Sequence, residues 1–155
     1  MKNQSENLII IAIIAVIVVL LLASGALNGA GSRPYVPSVT FTINPSSVNI
    51  HNNDTSSIVT LQVTKTDSKN IPSQFTISLK PSVSNIHPIF ASSGQTQYNY
   101  TTKTLTVSGS SDQLQFEVYG SLPAGTGSAT YNVTANLYYN GSIISTQVLG
   151  VQVTK

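Results

Sequence analysis

Two histidines, His51 and His87, and the acids Asp54, Asp67, Asp112 and Glu117 are the groups from which a metal centre or an acid–base pair would have to be built. They are dispersed, both histidines fall in polar, loop-forming stretches, and the chain has no cysteine. A blue-copper centre needs Cys and His, commonly with Met, so it is excluded, as are thiolate nucleophiles, iron–sulfur ligation and a disulfide framework. Serine is abundant, yet no Gly-x-Ser-x-Gly elbow occurs, and only His51 with Asp54 could start a triad. Glycoside hydrolysis needs two positioned carboxylates. Only Glu117 falls on an expected strand, on the phase facing solvent with Gln115. The expectation is a protein that is not an enzyme and holds no metal or cofactor.

Modification chemistry is better represented. Asn53-Asp54-Thr55, Asn99-Tyr100-Thr101, Asn132-Val133-Thr134 and Asn140-Gly141-Ser142 satisfy Asn-x-Ser/Thr, whereas Asn44-Pro45 is barred by its proline. All four fall at expected turns or on outward strand positions, so Asn53, Asn99, Asn132 and Asn140 are the candidate acceptors of N-linked glycans. Asn140 ranks last, because a glycan there would crowd the tight turn that Asn140-Gly141 supports. Asn3-Gln4-Ser5 also matches but lies before the apolar run, on the cytoplasmic side.

These sequons matter only if the chain is exported, and the stretch LIIIAIIAVIVVLLLASGA, Leu8 to Ala26, says that it is. It has no charge and no proline, and a helix of this length reaches roughly 30 Å, the hydrocarbon thickness of a bilayer. Three fates are open. As a secretory signal it offers Lys2 as the charged start and the small residues Ser24-Gly25-Ala26 for the peptidase, with Ser24 and Ala26 the cleavage-site residues and Leu27 the new terminus. As a retained anchor it keeps Lys2 inside. The third fate comes from a resemblance: Lys2-Asn3-Gln4-Ser5 ahead of the run is similar to the leader of archaeal type IV pilins, which implies a cut after Asn3 and a helix kept as filament core. Each places the rest of the chain outside the cytoplasm, at the extracellular face of the membrane or in a surface filament.

Composition describes that exterior portion. The 155 residues carry seven Lys or Arg and five Asp or Glu against 39 Ser and Thr, so the surface is hydroxylated rather than ionic. A net charge of +2 is too small and scattered for nucleic-acid binding. Residues 1–26 are the signal or anchor and 27–38 a Gly/Pro linker. Residues 39–155 leave room for one domain of immunoglobulin size.

The domain reads as short alternating strands. Val39, Phe41 and Ile43 share one face; Asn44-Pro45-Ser46 interrupts, and Val48 and Ile50 resume. Val59, Leu61 and Val63, then Phe75, Ile77 and Leu79, then Leu114, Phe116 and Val118 repeat the pattern. The region from Pro81 to Gln97 is irregular. Tyr98 and Tyr100 differ in phase from Leu105 and Val107, so a bulge near Thr102 or two short strands must intervene. Asn140-Gly141 marks a type I′ hairpin after Thr130–Tyr139. With a two-residue loop Leu137 faces Ile144, Ala135 faces Thr146 and Val133 faces Val148, and a bulge at Leu149-Gly150 is needed to bring Leu149, Val151 and Val153 into phase. About seven strands with turns between them predict an all-β antiparallel sandwich preceded by one hydrophobic helix.

The run Thr104-Leu105-Thr106-Val107, then Gln113–Tyr119, then Leu122-Pro123-Ala124-Gly125-Thr126 to Tyr131-Asn132-Val133 resembles the last strands of immunoglobulin-like and fibronectin-like modules of prokaryotic surface proteins. The whole layout of signal, short tail, one glycosylated head and no cysteine resembles the subunits of archaeal thread-like surface filaments. That resemblance implies a homopolymer formed by donor-strand complementation, with Val39, Phe41 and Ile43 as the donated side chains. Such a strand could also complete its own sheet. A membrane-anchored accessory or binding module is the alternative, and a carbohydrate-binding face would draw on Tyr98, Tyr100, Tyr138 and Tyr139.

Overall fold

Alternation of apolar and hydroxylated residues makes strands throughout the domain, and their buried rows decide which sheet each joins. The computed structural model describes residues 35–67, 73–91 and 97–155. The helix expected over 8–26, Ser24 and Ala26, and residues 27–34 of the linker lie outside the described residues. Among the described residues no helix is long and apolar enough to cross a membrane.

Eleven strands are present among the described residues, more than the seven or so that the alternation shows, because several are two- to five-residue pieces. They are β1 Val39–Asn44, β2 Ser47–His51, β3 Asp54–Thr55, β4 Val59–Lys65, β5 Ser73–Pro81, β6 Ile86–Phe90, β7 Tyr98–Asn99, β8 Thr104–Val107, β9 Ser111–Gly120, β10 Ser128–Tyr139 and β11 Ser142–Thr154. The first sheet runs β1-β4-β9-β6, with β3 extending the line of β4 along the far end of β9. The second runs β2-β11-β10-β5-β8-β7. All pairs are antiparallel except β2 with β11. The fold is thus an all-β sandwich of two sheets.

Between β1 and β2 the chain changes sheets. β1 lies antiparallel to β4 at one edge of the first sheet. The chain then passes a cis Asn44–Pro45 peptide, and β2 joins β11 at the edge of the second. Between β3 and β4 the chain is tied to β9 by Ser56, whose amide donates to the Val118 carbonyl at 2.9 Å and whose Oγ accepts the Val118 amide at 3.0 Å.

The core fills from both sheets: Val59, Leu61, Val63, Leu114, Phe116 and Val118 from the first, and Phe75, Ile77, Val133, Leu137, Leu149 and Val151 from the second, all fully buried. The row Leu114, Phe116, Val118 ends on Gly120, where alternation asks for one more core side chain. That space is already occupied. A Cβ at Gly120 would lie 3.0 Å from Val153 Cγ2 and 3.2 Å from both Ile50 Cδ1 and Ile86 Cδ1. Gly120→Val should therefore destabilise the domain by roughly 1–3 kcal/mol through overpacking. Chemical denaturation checks it, and a midpoint equal to wild type would show that the three neighbours relax without strain.

Two expectations are corrected by the register. Asn140 and Gly141 do form the two-residue turn, with φ of 48° and 80° and Tyr139 opposite Ser142. The bulge, however, sits beside the turn and not at Leu149-Gly150. Tyr138 faces Ile143 and Leu137 faces Ser145, which leaves Ile144 as the extra residue. Ala135 then faces Gln147 and Val133 faces Leu149. An early bulge puts all of Leu149, Val151 and Val153 into the core and leaves Val148 about half exposed. The ambiguity near Thr102 resolves as two short strands, β7 and β8, paired through Tyr98↔Leu105 and joined by a turn in which Lys103 has φ 56°. The irregular stretch after Pro81 contains β6, an edge strand with Ile86 alone fully buried.

Candidate functional site

The groups that could do acid–base or metal chemistry stay apart. His51 and Asp54 are both exposed, and Asp54 Oδ1 accepts the amide of Thr55, a turn contact. His87 sits against the Tyr119 ring at 6.1 Å. Glu117 faces outward opposite Ile89 on β6. Asp67 Oδ2 accepts the Ser38 amide at 3.1 Å, holding the chain just before β1. Among the described residues no group of three His, Cys, Asp or Glu lies together.

The structure places Val39, Phe41 and Ile43 at an edge, paired in cis. Their strand is opposite Lys65, Val63 and Leu61 of β4. Phe41 is 3% exposed, while Val39 and Ile43 are half-buried and packed against the core. Its entry is fastened by Thr66, whose amide donates to the Ser38 carbonyl at 2.8 Å and whose Oγ1 bonds Ser38 Oγ. Its outer side is met by Gln147. This residue lies on the inward phase of β11, in line with Leu149 and Val151, yet carries an amide; its Nε2 donates to the Phe41 carbonyl at 2.9 Å across the gap between the sheets.

Two of the other sheet edges are poor templates for adding a strand. β6 has Pro88 at its centre and β7 is two residues long, both devices that blunt an edge. Beside β1 the Phe41 carbonyl is taken by Gln147. A second copy could more readily replace β1 than pair beside it.

All four candidate glycan acceptors are exposed. Asn53 has φ 64°, and its Oδ1 accepts the Tyr119 hydroxyl at 3.3 Å. Asn99 Oδ1 accepts the amides of Thr101 and Thr102 at 3.0 and 3.1 Å. Asn132 lies mid-strand on β10; its carbonyl accepts the Ser82 amide at 2.8 Å and its amide donates to Ser82 Oγ at 3.1 Å. Asn140 occupies the first left-handed position of the hairpin turn.

Of the four tyrosines, the structure brings two together. Tyr98 and Tyr100 meet edge to face at 5.0 Å, and Tyr98 also packs on Phe90 at 5.2 Å. Tyr139 turns inward to Phe75 at 5.7 Å, while Tyr138 lies opposite Ile143 and Thr76. The Tyr98 hydroxyl is buried and, among the described residues, has no hydrogen-bond partner. Desolvation, with a smaller push from Tyr100, raises its pKa from 10.0 to about 12. Both states hold the phenol neutral at pH 7; as pH rises from 10 toward 12 the unfolded chain ionises first, so stability falls there. Tyr98→Phe should remove that alkaline slope and cost little at neutral pH, since a buried hydroxyl without a partner stabilises nothing. Denaturation midpoints at neutral and alkaline pH check this; an unchanged slope in the variant would contradict it.

Alternation by itself missed Gln147 and Gly120. Both were visible as breaks in an inward row, one polar and one empty, but recognising the first required the correct β11 register.

No family model matches the sequence, and no curated protein matches it. Among solved structures, a FixG-related protein from Vibrio parahaemolyticus is similar over 77% of this chain and 98% of its own, at 12% identity and TM-score 0.45. The E. coli chaperone DraB is similar over 76% of this chain and 56% of its own, at 8% identity and TM-score 0.43. WR4, a C. elegans MSP family member, is similar over 74% and 95%, at 9% identity and TM-score 0.43. None of the three lends this chain a role.

Proposed function

We propose that this chain is a non-enzymatic structural or adhesive subunit of the cell exterior, whose immunoglobulin-like sandwich polymerises by strand exchange. Each subunit gives β1 to the edge of the next and receives one from the subunit before it. The observation that carries this reading is the edge position of β1, whose Phe41 is buried although another strand pairs with it on one side only. On its C-terminal side residues 45–46 link it to β2, which is held in the other sheet. Exchange preserves every contact of β1 with β4, so it costs little at equilibrium once two copies are close. The surface, poor in charge, presents little repulsion to a neighbour.

The unbroken apolar run from Leu8 to Ala26 supports a second reading, a sandwich tethered to the membrane as an accessory module. Electron microscopy of protein from its native surface, with amino-terminal sequencing of the same material, separates the two. Fibres whose subunits begin at Leu27 are expected. Single particles beginning at Met1 would overturn the filament and leave the anchored module.

A further inference from the structure

The turn between β7 and β8 makes a second feature that owes nothing to strand exchange. Gln97, Tyr98, Asn99, Tyr100, Thr101 and Thr106 line an open groove of about 490 Å³. We propose that this groove binds a neutral pyranose sugar, with Tyr100 as the shelf beneath the ring.

Every side chain lining the groove is uncharged. Tyr100 is 43% exposed, and its ring is held firmly: the hydroxyl donates to the Ala91 carbonyl, and the ring packs at right angles to that of Tyr98 at 5.0 Å. A shelf fixed before the ligand arrives loses little freedom on binding. The Asn99 carboxamide is oriented too. Its oxygen is used twice, by the amides of Thr101 and Thr102, which turns the two Nδ2 hydrogens into the donors that it can offer a ligand. Thr101 and Thr106 add hydroxyls able to donate and accept. The groove itself is fastened at its base by the Thr106 amide, which donates to the Gln97 carbonyl at 2.9 Å.

A pyranose has an apolar C–H face and a rim of hydroxyls. An aromatic face with neutral donors and acceptors around it matches both, whereas a uronate or sugar phosphate finds no countercharge here. The sugar could come from two sources: a saccharide presented by another surface, or the glycan that the chain itself would carry on Asn99, which lies in the groove wall.

The test uses the full chain, produced without glycosylation and kept in a detergent that has no sugar headgroup. It is titrated with glucose, galactose, mannose and N-acetylglucosamine, and with glucuronate as the charged control, while the backbone amides of Thr101 and Thr106 are followed by magnetic resonance. A neutral sugar should shift them saturably, and glucuronate should not. Tyr100→Ala should weaken binding about tenfold or more, and Tyr100→Phe, which keeps the ring, should bind within a fewfold of wild type. Thr106→Val, which leaves the turn and the shelf in place, should weaken binding several-fold. Glycosylated protein then identifies the source. Loss of the response, with contacts between the Tyr100 ring and the attached sugar, shows the chain's own glycan as the occupant; an undiminished response shows an external saccharide. No saturable shift with any neutral sugar, or a Tyr100→Ala chain of native spectrum that binds like wild type, would overturn the proposal.

Discussion

A chain that begins at Ser47 should lose on the order of 3–6 kcal/mol of stability, and a synthetic strand spanning 36–46 should restore it in trans. The magnitude follows from burial. Phe41 is 3% exposed, and burying such a side chain contributes about 1.5–3 kcal/mol. Val39 and Ile43, half-buried against the same core, each add a fraction of that. Six residue pairs of the β1·β4 ladder are lost together with these contacts. The Gln147 amide also loses the Phe41 carbonyl, which leaves it part-buried and without that acceptor. A domain of this size has only about 5–15 kcal/mol in total, so the shortened chain should be partly unfolded or associated at room temperature. Denaturation curves with and without the added strand measure this, and a strand carrying Phe41→Asp should fail to rescue. A shortened chain that stays monomeric and as stable as the full domain would mean that β1 is an ornament on a sheet already complete.

The sandwich was legible in the sequence where both phases of a strand carry a signal. Val39-Phe41-Ile43 against Thr40-Thr42 is one case, and Leu114-Phe116-Val118 against Gln113-Gln115-Glu117 is another. The Asn140-Gly141 turn was legible because few other dipeptides accept two positive φ angles. Where the signal thins, the reading slips. Between Ile144 and Leu149 lie Ser145, Thr146, Gln147 and Val148, of which three are polar, so alternation shows that one residue must be extra without showing which. The backbone places it at Ile144 beside the turn. β6 was illegible for a related reason: its burial alternates, but Pro88 stands on the inward phase and Ile89 on the exposed one, so the residue types carry no period.

For the candidate site, the donor residues Val39, Phe41 and Ile43 were readable as a strand, but their partner was not. Which strand lies beside β1 is a matter of topology, and it took the β4 register to show Phe41 opposite Val63. Tyr98 and Tyr100 were readable only as aromatics of equal phase. Their edge-to-face contact depends on Tyr100 lying beyond the end of β7, in a turn whose shape is set by Asn99 and Lys103.

The register also supplies a direct test of strand exchange, because the chain has no cysteine of its own. Thr42 on β1 and Gln62 on β4 are directly opposite and both exposed. Opposed residues of an antiparallel pair have Cα atoms about 4.5–5.5 Å apart, within the span of a disulfide. In the variant Thr42→Cys with Gln62→Cys, the bond reports who owns the strand: within one chain if β1 is in cis, between chains if it has been donated. Assembled fibres of this variant, oxidised and run on a gel without reductant, should give a ladder reaching many subunits that collapses to monomer when reductant is added. Fibres in which the disulfides form but every chain still runs as a monomer would show that the subunits associate without exchanging β1, and would contradict the mechanism.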